Sequence, residues 1–368
     1  MSIKSDLKKD GIEIIEKLDT LAINSIAKNI SSKLCATFPN FGLDETKLFI
    51  NLSRLDMYVA NMPEGMAEAN YFYKNKSIYF NSHIPAEDRE EFAIHECIHY
   101  IQEITDKKNY LIRMGLCDYS EFKIYGLALN EAAVQLMSSK IIGIEKDFVK
   151  YYGISFETIS PSYYPVECSL VNQLAYLFGE DVLFESTINS NDNFKNKVAK
   201  ETSLKTFYSI SNALDSILND EESIIKYNNK ILENDDRNSR VDRWVDKINE
   251  LKENIKVTYF RTQNLIISSY FDNAFDRISS LEDVENYRRK LYTFKDYIAT
   301  SEGYTYFNNY YIEAMNKLEH KYNMIENGGI ETAVSIKTKE ENVFISIIKS
   351  IKKLVLSMFG LKNDIKEK

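Results

Sequence analysis

Histidine is scarce in this sequence. Four residues (His83, His95, His99 and His320) serve 368 positions, and two of them stand four places apart. Cysteine is equally sparse. Cys35, Cys97, Cys117 and Cys168 are widely spaced with no CxxC pair, which excludes a zinc ribbon and a disulfide framework and suits a reducing interior. The opening residues, Met1 to Asp10, hold no apolar core of a secretory signal, so a cytoplasmic location is expected. No lysine and arginine block marks a phosphate-binding surface and the net charge is −9, so nucleic acid is excluded as an expected partner.

Proline and glycine are unevenly withheld. All five prolines (Pro39, Pro63, Pro85, Pro161 and Pro165) fall in the first 165 residues, and neither residue type occurs between Gly179 and Gly303. Since these two punctuate turns, the first half reads as mixed structure and the second as long helices. The expected fold class is therefore α+β, predominantly α. A hydrophobic content of 44% with 27% charged residues is that of a globular chain able to bury a core.

Along the chain, the apolar spacing predicts a helix over 6–36. Leu48 to Leu52 and Met57 to Ala60 are short β-prone runs, and Tyr71 to Phe80 reads as two strands around a polar turn. Pro85 is expected to open a helix running to about Asp106, with Glu87, Asp88, Glu90 and Glu91 in its first turns. Further helices are predicted from about Ser120 to Ile142 and from Pro165 to Phe178. The asparagine-rich run from Ile188 to Asn193 reads as a loop or junction, and helical spacing resumes beyond it, as at Trp244, Ile248, Leu251 and Ile255. Three regions follow: 1–187, 188–327 and 328–368.

The chemistry concentrates in Phe92-Ala93-Ile94-His95-Glu96-Cys97-Ile98-His99-Tyr100. On a helix, positions i and i+4 share a face, so His95 and His99 can grip one metal ion while Glu96 stays beside it as a base. Two half-buried histidines on an amphipathic helix would give the same pattern. A catalytic zinc needs three protein ligands and one open position. Neither His83 nor His320 is well placed, whereas Leu129-Asn130-Glu131-Ala132 offers a carboxylate on a later, largely apolar helix. A carboxylate there is costly unless bound to metal or held in an ion pair.

His95-Glu96-x-x-His99 followed by Asn130-Glu131-Ala132 resembles the gluzincin, thermolysin-like branch of the zincin metallopeptidases, over roughly residues 45–185. The resemblance implies a zincin-like catalytic domain with a small sheet and a motif helix, followed by an all-α region. It implies one catalytic zinc ion held by His95, His99 and Glu131, with Glu96 activating the water. In that family the edge strand of a small upstream sheet pairs with extended substrate, and Ser77 to Asn81 stands where the sheet would be. One departure is visible: many relatives carry an acidic residue four places after the ligand glutamate to support a zinc-bound histidine, and here that place holds Gln135. The amide oxygen can accept the imidazole N–H but raises ligand basicity less.

The implied activity is zinc-dependent hydrolysis of a peptide or protein substrate, most naturally as an endopeptidase. The oxyanion donor, a tyrosine or histidine in such enzymes, is here expected to be Tyr164, with Tyr163 and then Tyr125 as alternatives. A reading of a different class is a non-catalytic zincin-shaped binding module in which zinc only staples the core. Residues 341–361 form a basic amphipathic pattern in which Lys349, Lys352 and Lys353 oppose an apolar face. This segment reads as a helix docked on the body, or as a contact with a membrane surface or partner rather than a spanning helix.

Overall fold

The computed structural model describes residues 7, 11–63, 66–119, 124–233, 239–298 and 304–327. By packing, the chain divides into two compact units, residues 1–277 with 289–312, and residues 278–288 with 313–368. The expected terminal helix over 341–361 lies outside the described residues.

The first unit opens with strand β1 (Glu13–Lys17), helix α1 (Thr20–Thr37), helix α2 (Glu45–Leu52) and strands β2 (Asp56–Asn61), β3 (Ala69–Phe72) and β4 (Ser77–Asn81). The predicted helix over 6–36 is thus a strand followed by a helix that starts after Asp19, whose carboxylate caps it by accepting from Ala22 N–H. The β-prone Leu48 to Leu52 run is helical because Asp44 caps it in the same way, accepting from Lys47 N–H at 3.0 Å. In the first place pairing of β1 with β2 overrides the helical spacing, and in the second a short-range cap overrides β propensity.

The sheet runs in the order β1-β2-β4-β3, with β4 parallel to β2 and antiparallel to β3. Strand β4 is interior, and Ser77, Ile78, Tyr79 and Phe80 are all buried. A strand covered on both faces and paired on both sides has no polar alternation to keep. Strand β3 is one edge of this sheet, and β1 the other.

Helix α3 (Arg89–Ile101) follows and carries the histidine motif. It begins four residues after Pro85 and ends at Ile101, shorter than the sequence suggests, because residues 85–88 form turns and the chain turns into strand β5 (Glu103–Thr105). Ala93, Ile94, Cys97 and Ile98 point inward and are fully buried. Glu90 clamps the outer side of the helix to α1 through Lys33 at 2.7 Å and Asn29 at 2.8 Å.

Strands β5, β6 (Leu111–Met114), β7 (Cys117–Tyr119) and β8 (Ile124–Tyr125) form an antiparallel meander that the sequence reading does not contain. The next helix, α4 (Leu127–Ile142), accordingly starts later than Ser120. Gly126 and Gly143, both in the left-handed region, bracket it. Its first turn is capped from a distance, since the Asp215 carboxylate accepts from Gly126 N–H at 3.0 Å and Ala128 N–H at 2.9 Å. Eleven residues of α4, from Ala128 to Ser139, are buried, so this is a central helix rather than an amphipathic one.

A hairpin of β9 (Asp147–Tyr151) and β10 (Ile154–Thr158) precedes α5 (Pro165–Phe178), which begins and ends where the sequence places it. Helices α6 (Glu180–Ile188) and α7 (Asn193–Glu201) lead to α8 (Leu204–Leu232) and α9 (Ser239–Asp276), of 29 and 38 residues. These are the long helices expected from the glycine- and proline-free stretch. Tyr259 of α9 lies fully buried against α5, where its hydroxyl meets Ser169 Oγ at 2.8 Å and accepts from Gln173. Helices α10 (Leu281–Phe294) and α11 (Tyr304–Glu326) complete the described elements. In the second unit, Asp283 accepts from the N–H groups of Ser279 and Ser280, and Val284 and Leu318 are buried.

Candidate metal centre

Helix α3 projects His95 and His99 from one face toward α4, and Glu131 meets them from the second turn of α4. His95 Nε2 and His99 Nε2 are 2.9 Å apart, and Glu131 Oε2 lies 3.3 Å from the first and 3.4 Å from the second. Donor atoms at about 2.0–2.1 Å from a tetrahedrally held ion stand roughly 3.3 Å from one another, so the triangle has the size of one face of such a site. Among the described residues it is the one group of three His, Cys, Asp or Glu side chains close enough to share an ion.

The hydrogen bonds behind the triangle decide its chemistry. Leu116 N–H donates to Asn130 Oδ1 at 3.0 Å, which fixes the Asn130 amide. The Nδ2 of that amide then donates to Gln102 Oε1 at 3.3 Å, and the same oxygen lies 3.3 Å from His99 Nδ1. On the other ring, His95 Nδ1 lies 3.0 Å from Gln135 Oε1, while Gln135 Nε2 donates to Ser139 Oγ. Both amide oxygens can only accept, so both Nδ1 atoms carry the proton and both Nε2 atoms present lone pairs. With both rings neutral, two lone pairs and a carboxylate oxygen converge, a set that could hold a metal ion.

The triangle also holds itself together by charge: burial lowers the proton affinity of His99, but Glu131 and Gln102 outweigh it and leave the ring above the ordinary histidine value. Burial alone would raise the Glu131 carboxyl, but the imidazoles of His99 and His95 outweigh it and hold the group well below the usual carboxylate range. The fully buried Cys97, inside the motif, is a core residue whose thiol burial pushes far up.

Glu96 stands beside the triangle without joining it. Its Oε2 accepts from Tyr71 N–H at 2.7 Å, so edge strand β3 positions the carboxylate. Burial pushes Glu96 up to about 7, Glu131 adds to the rise, and His95 and the Tyr71 amide oppose it. A carboxyl in that range can both take and return a proton near neutral pH.

Of the three candidate tyrosines, the structure brings one to the triangle. Tyr164, left-handed at φ +48° just ahead of α5, lays its ring 6.3 Å from that of His95 at an interplanar angle of 21°. The charge of Glu131 chiefly, then burial and Glu96, raise its hydroxyl well above the ordinary tyrosine value, so the proton stays on. Tyr163 instead packs edge-on against Phe92 and faces Glu68. Tyr125 is not on the ligand helix but on β8, 46% exposed.

The site opens into a cleft of about 500 Å³ whose walls include Ala69, His95, Glu96, Tyr164 and, from α8, Glu221. In an antiparallel edge strand alternate residues turn their peptide groups outward. Tyr71 is one of these, and Ala69, two places earlier, presents the same side to the cleft. Gln102 and the Tyr71 amide are positions of the candidate site that sequence reasoning missed. Neither lies in the motif, and only the fold brings them to it.

Compared with protein-family models, with curated proteins and with solved structures, the chain finds no match in any of the three.

Proposed function

We propose that this chain is a zinc-dependent peptidase of gluzincin type that hydrolyses peptide bonds in the cleft between β3 and α5. The observation that carries the reading is the convergence of two imidazole lone pairs and one carboxylate, with Glu96 held beside them by the Tyr71 amide. Two histidines and a glutamate are a donor set suited to catalytic zinc, and an intact base is superfluous in a merely structural site.

Zinc bound there would polarise the scissile carbonyl and acidify a water molecule. Glu96 takes the proton of the attacking water and returns it to the leaving amine, which its raised affinity for protons suits. The Tyr164 hydroxyl, still protonated, donates to the oxygen on which negative charge develops. An extended peptide pairs with the outward peptide groups of β3 at Ala69, which sets the bond to be cut against Glu96.

The experiment is cleavage of a random peptide library by the wild-type chain and by Glu96→Gln, each with its metal content measured. Cleavage by the first and none by a metal-loaded second supports the reading. Equal cleavage by both removes Glu96 as base, and no cleavage by either leaves the non-catalytic module as the better description.

A further inference from the structure

The cleft carries a second group of ionisable side chains away from the triangle. Glu221, on α8, lines it, and so does Tyr152. Tyr152 stands at the tip of the β9–β10 hairpin, left-handed at φ +50° and followed by Gly153 at φ +79°. A two-residue turn of this kind accepts glycine or asparagine readily and a tyrosine only with strain, so the ring is held where the hairpin needs it least. Its hydroxyl hydrogen-bonds to Glu221.

Behind Glu221 lies Glu167, on α5, with no exposed surface. Neither of its carboxyl oxygens receives a hydrogen bond from a donor group of another residue, and it reaches only the Glu221 carboxyl. Burial, and then the neighbouring acid, push Glu167 well above its ordinary range, and burial does the same to Glu221. In both carboxyls burial thus favours the protonated form, and the two face each other. A fully buried acid set behind a half-buried one is costly and has no packing purpose that two amides or two leucines would not serve.

The surroundings suit a cationic group. Five carboxylates (Glu68, Glu91, Glu96, Glu221 and Glu222) line the cleft, with no lysine or arginine among its lining residues. Leu218 and Ile225, one helical turn to either side of Glu221 on α8, line it too and give an apolar flank for an aliphatic stem. An apolar shaft ending on two acids and a phenol matches a long side chain with a planar, multidentate cationic head.

We propose that Glu221, backed by Glu167 and flanked by Tyr152, is the specificity subsite of this cleft and takes a basic side chain of the peptide, arginine ahead of lysine. The inference rests on the peptidase reading for the bond that is cut, but the subsite is testable apart from it. On entry the guanidinium pairs with Glu221, whose proton leaves to solvent.

The test starts from the library cleavage, which should show basic residues enriched at one fixed position relative to the cut. The best sequence is then made with arginine or citrulline at that position, for wild type, Glu221→Gln and Glu221→Asp. The expected ratio of kcat/KM, arginine over citrulline, is about tenfold or more in wild type, near one in Glu221→Gln and largely kept in Glu221→Asp. Because the ratio is taken within one protein, a loss of folded material cancels from it. Cleavage with no basic enrichment, or a ratio unchanged in Glu221→Gln, overturns the subsite and leaves the peptidase standing. If nothing is cleaved, the peptidase reading fails, and the subsite is judged by calorimetric binding of acetyl-Ala-Arg-Ala amide against its citrulline counterpart. A preference for arginine that Glu221→Gln removes supports it, and equal binding overturns it.

Discussion

Asn130 Nδ2 donates to Gln102 Oε1 at 3.3 Å, and that single oxygen also takes the Nδ1 proton of His99. The asparagine that precedes the ligand glutamate thus orients the second histidine through a residue on neither motif. Gln102→Leu should keep the fold and weaken zinc binding by about 10–100-fold. Competition with a chromophoric chelator measures this, and an unchanged affinity would show that His99 needs no partner.

Gly115 occupies the left-handed region at φ +59°, and a Cβ placed there would lie 2.0 Å from Asn130 Oδ1 and 2.6 Å from Gln102 Nε2. Gly115→Ala therefore strikes the same relay from outside the site. The expected result is a loss of roughly 1–3 kcal/mol in stability together with weakened metal binding. Thermal melting in the presence and absence of zinc checks both, and a melting curve like that of wild type would contradict the packing described.

Tyr164→Phe removes one hydroxyl and leaves the ring on His95. Metal content should not change, whereas kcat should fall on the order of 10²–10³-fold with KM little moved. The matching Tyr163→Phe change should have a small effect. If Tyr163→Phe is the damaging variant, the oxyanion donor has been misassigned.

The buried acids make a prediction about pH. Glu221 is raised to about 7 by burial, and burial and then Glu221 hold Glu167 well above its ordinary range too. Between about pH 4.5 and 7 the folded state thus binds more protons than the unfolded chain, so these groups lower stability as pH rises through that window. Glu221→Gln should flatten the decline, so its melting temperature should exceed wild type's by more at pH 8 than at pH 5. A gap of the same size at both values would mean the carboxyls are already paired with a cation.

The part of the site that follows helical periodicity was legible in the sequence. His95, Glu96 and His99 share a helix, so local spacing was enough to place them, whereas Glu131 was picked out as a carboxylate in an apolar helix and by the resemblance of its Asn-Glu-Ala setting. Gln102 was not legible, because it lies just past the end of its helix and only the fold sets Asn130 behind it. Tyr71 contributes a backbone amide, which every residue owns and no side chain signals. The long helices α8 and α9 could be read from missing glycine and proline, and β3 and β4 from two apolar runs around a polar turn. The meander from β5 to β8 escaped because its strands are of two to four residues, too short to establish an alternation. At α2, Asp44 turned a β-prone run into a helix.

The most direct test of the central claim is the metal content of the purified chain, prepared without chelators. We expect about one zinc ion per chain in wild type. His99→Ala and Glu131→Ala should each be nearly free of it under the same preparation while keeping their helical circular dichroism. A wild-type protein that holds no metal, or variants that retain a full equivalent, would contradict the assignment of His95, His99 and Glu131 as a metal centre.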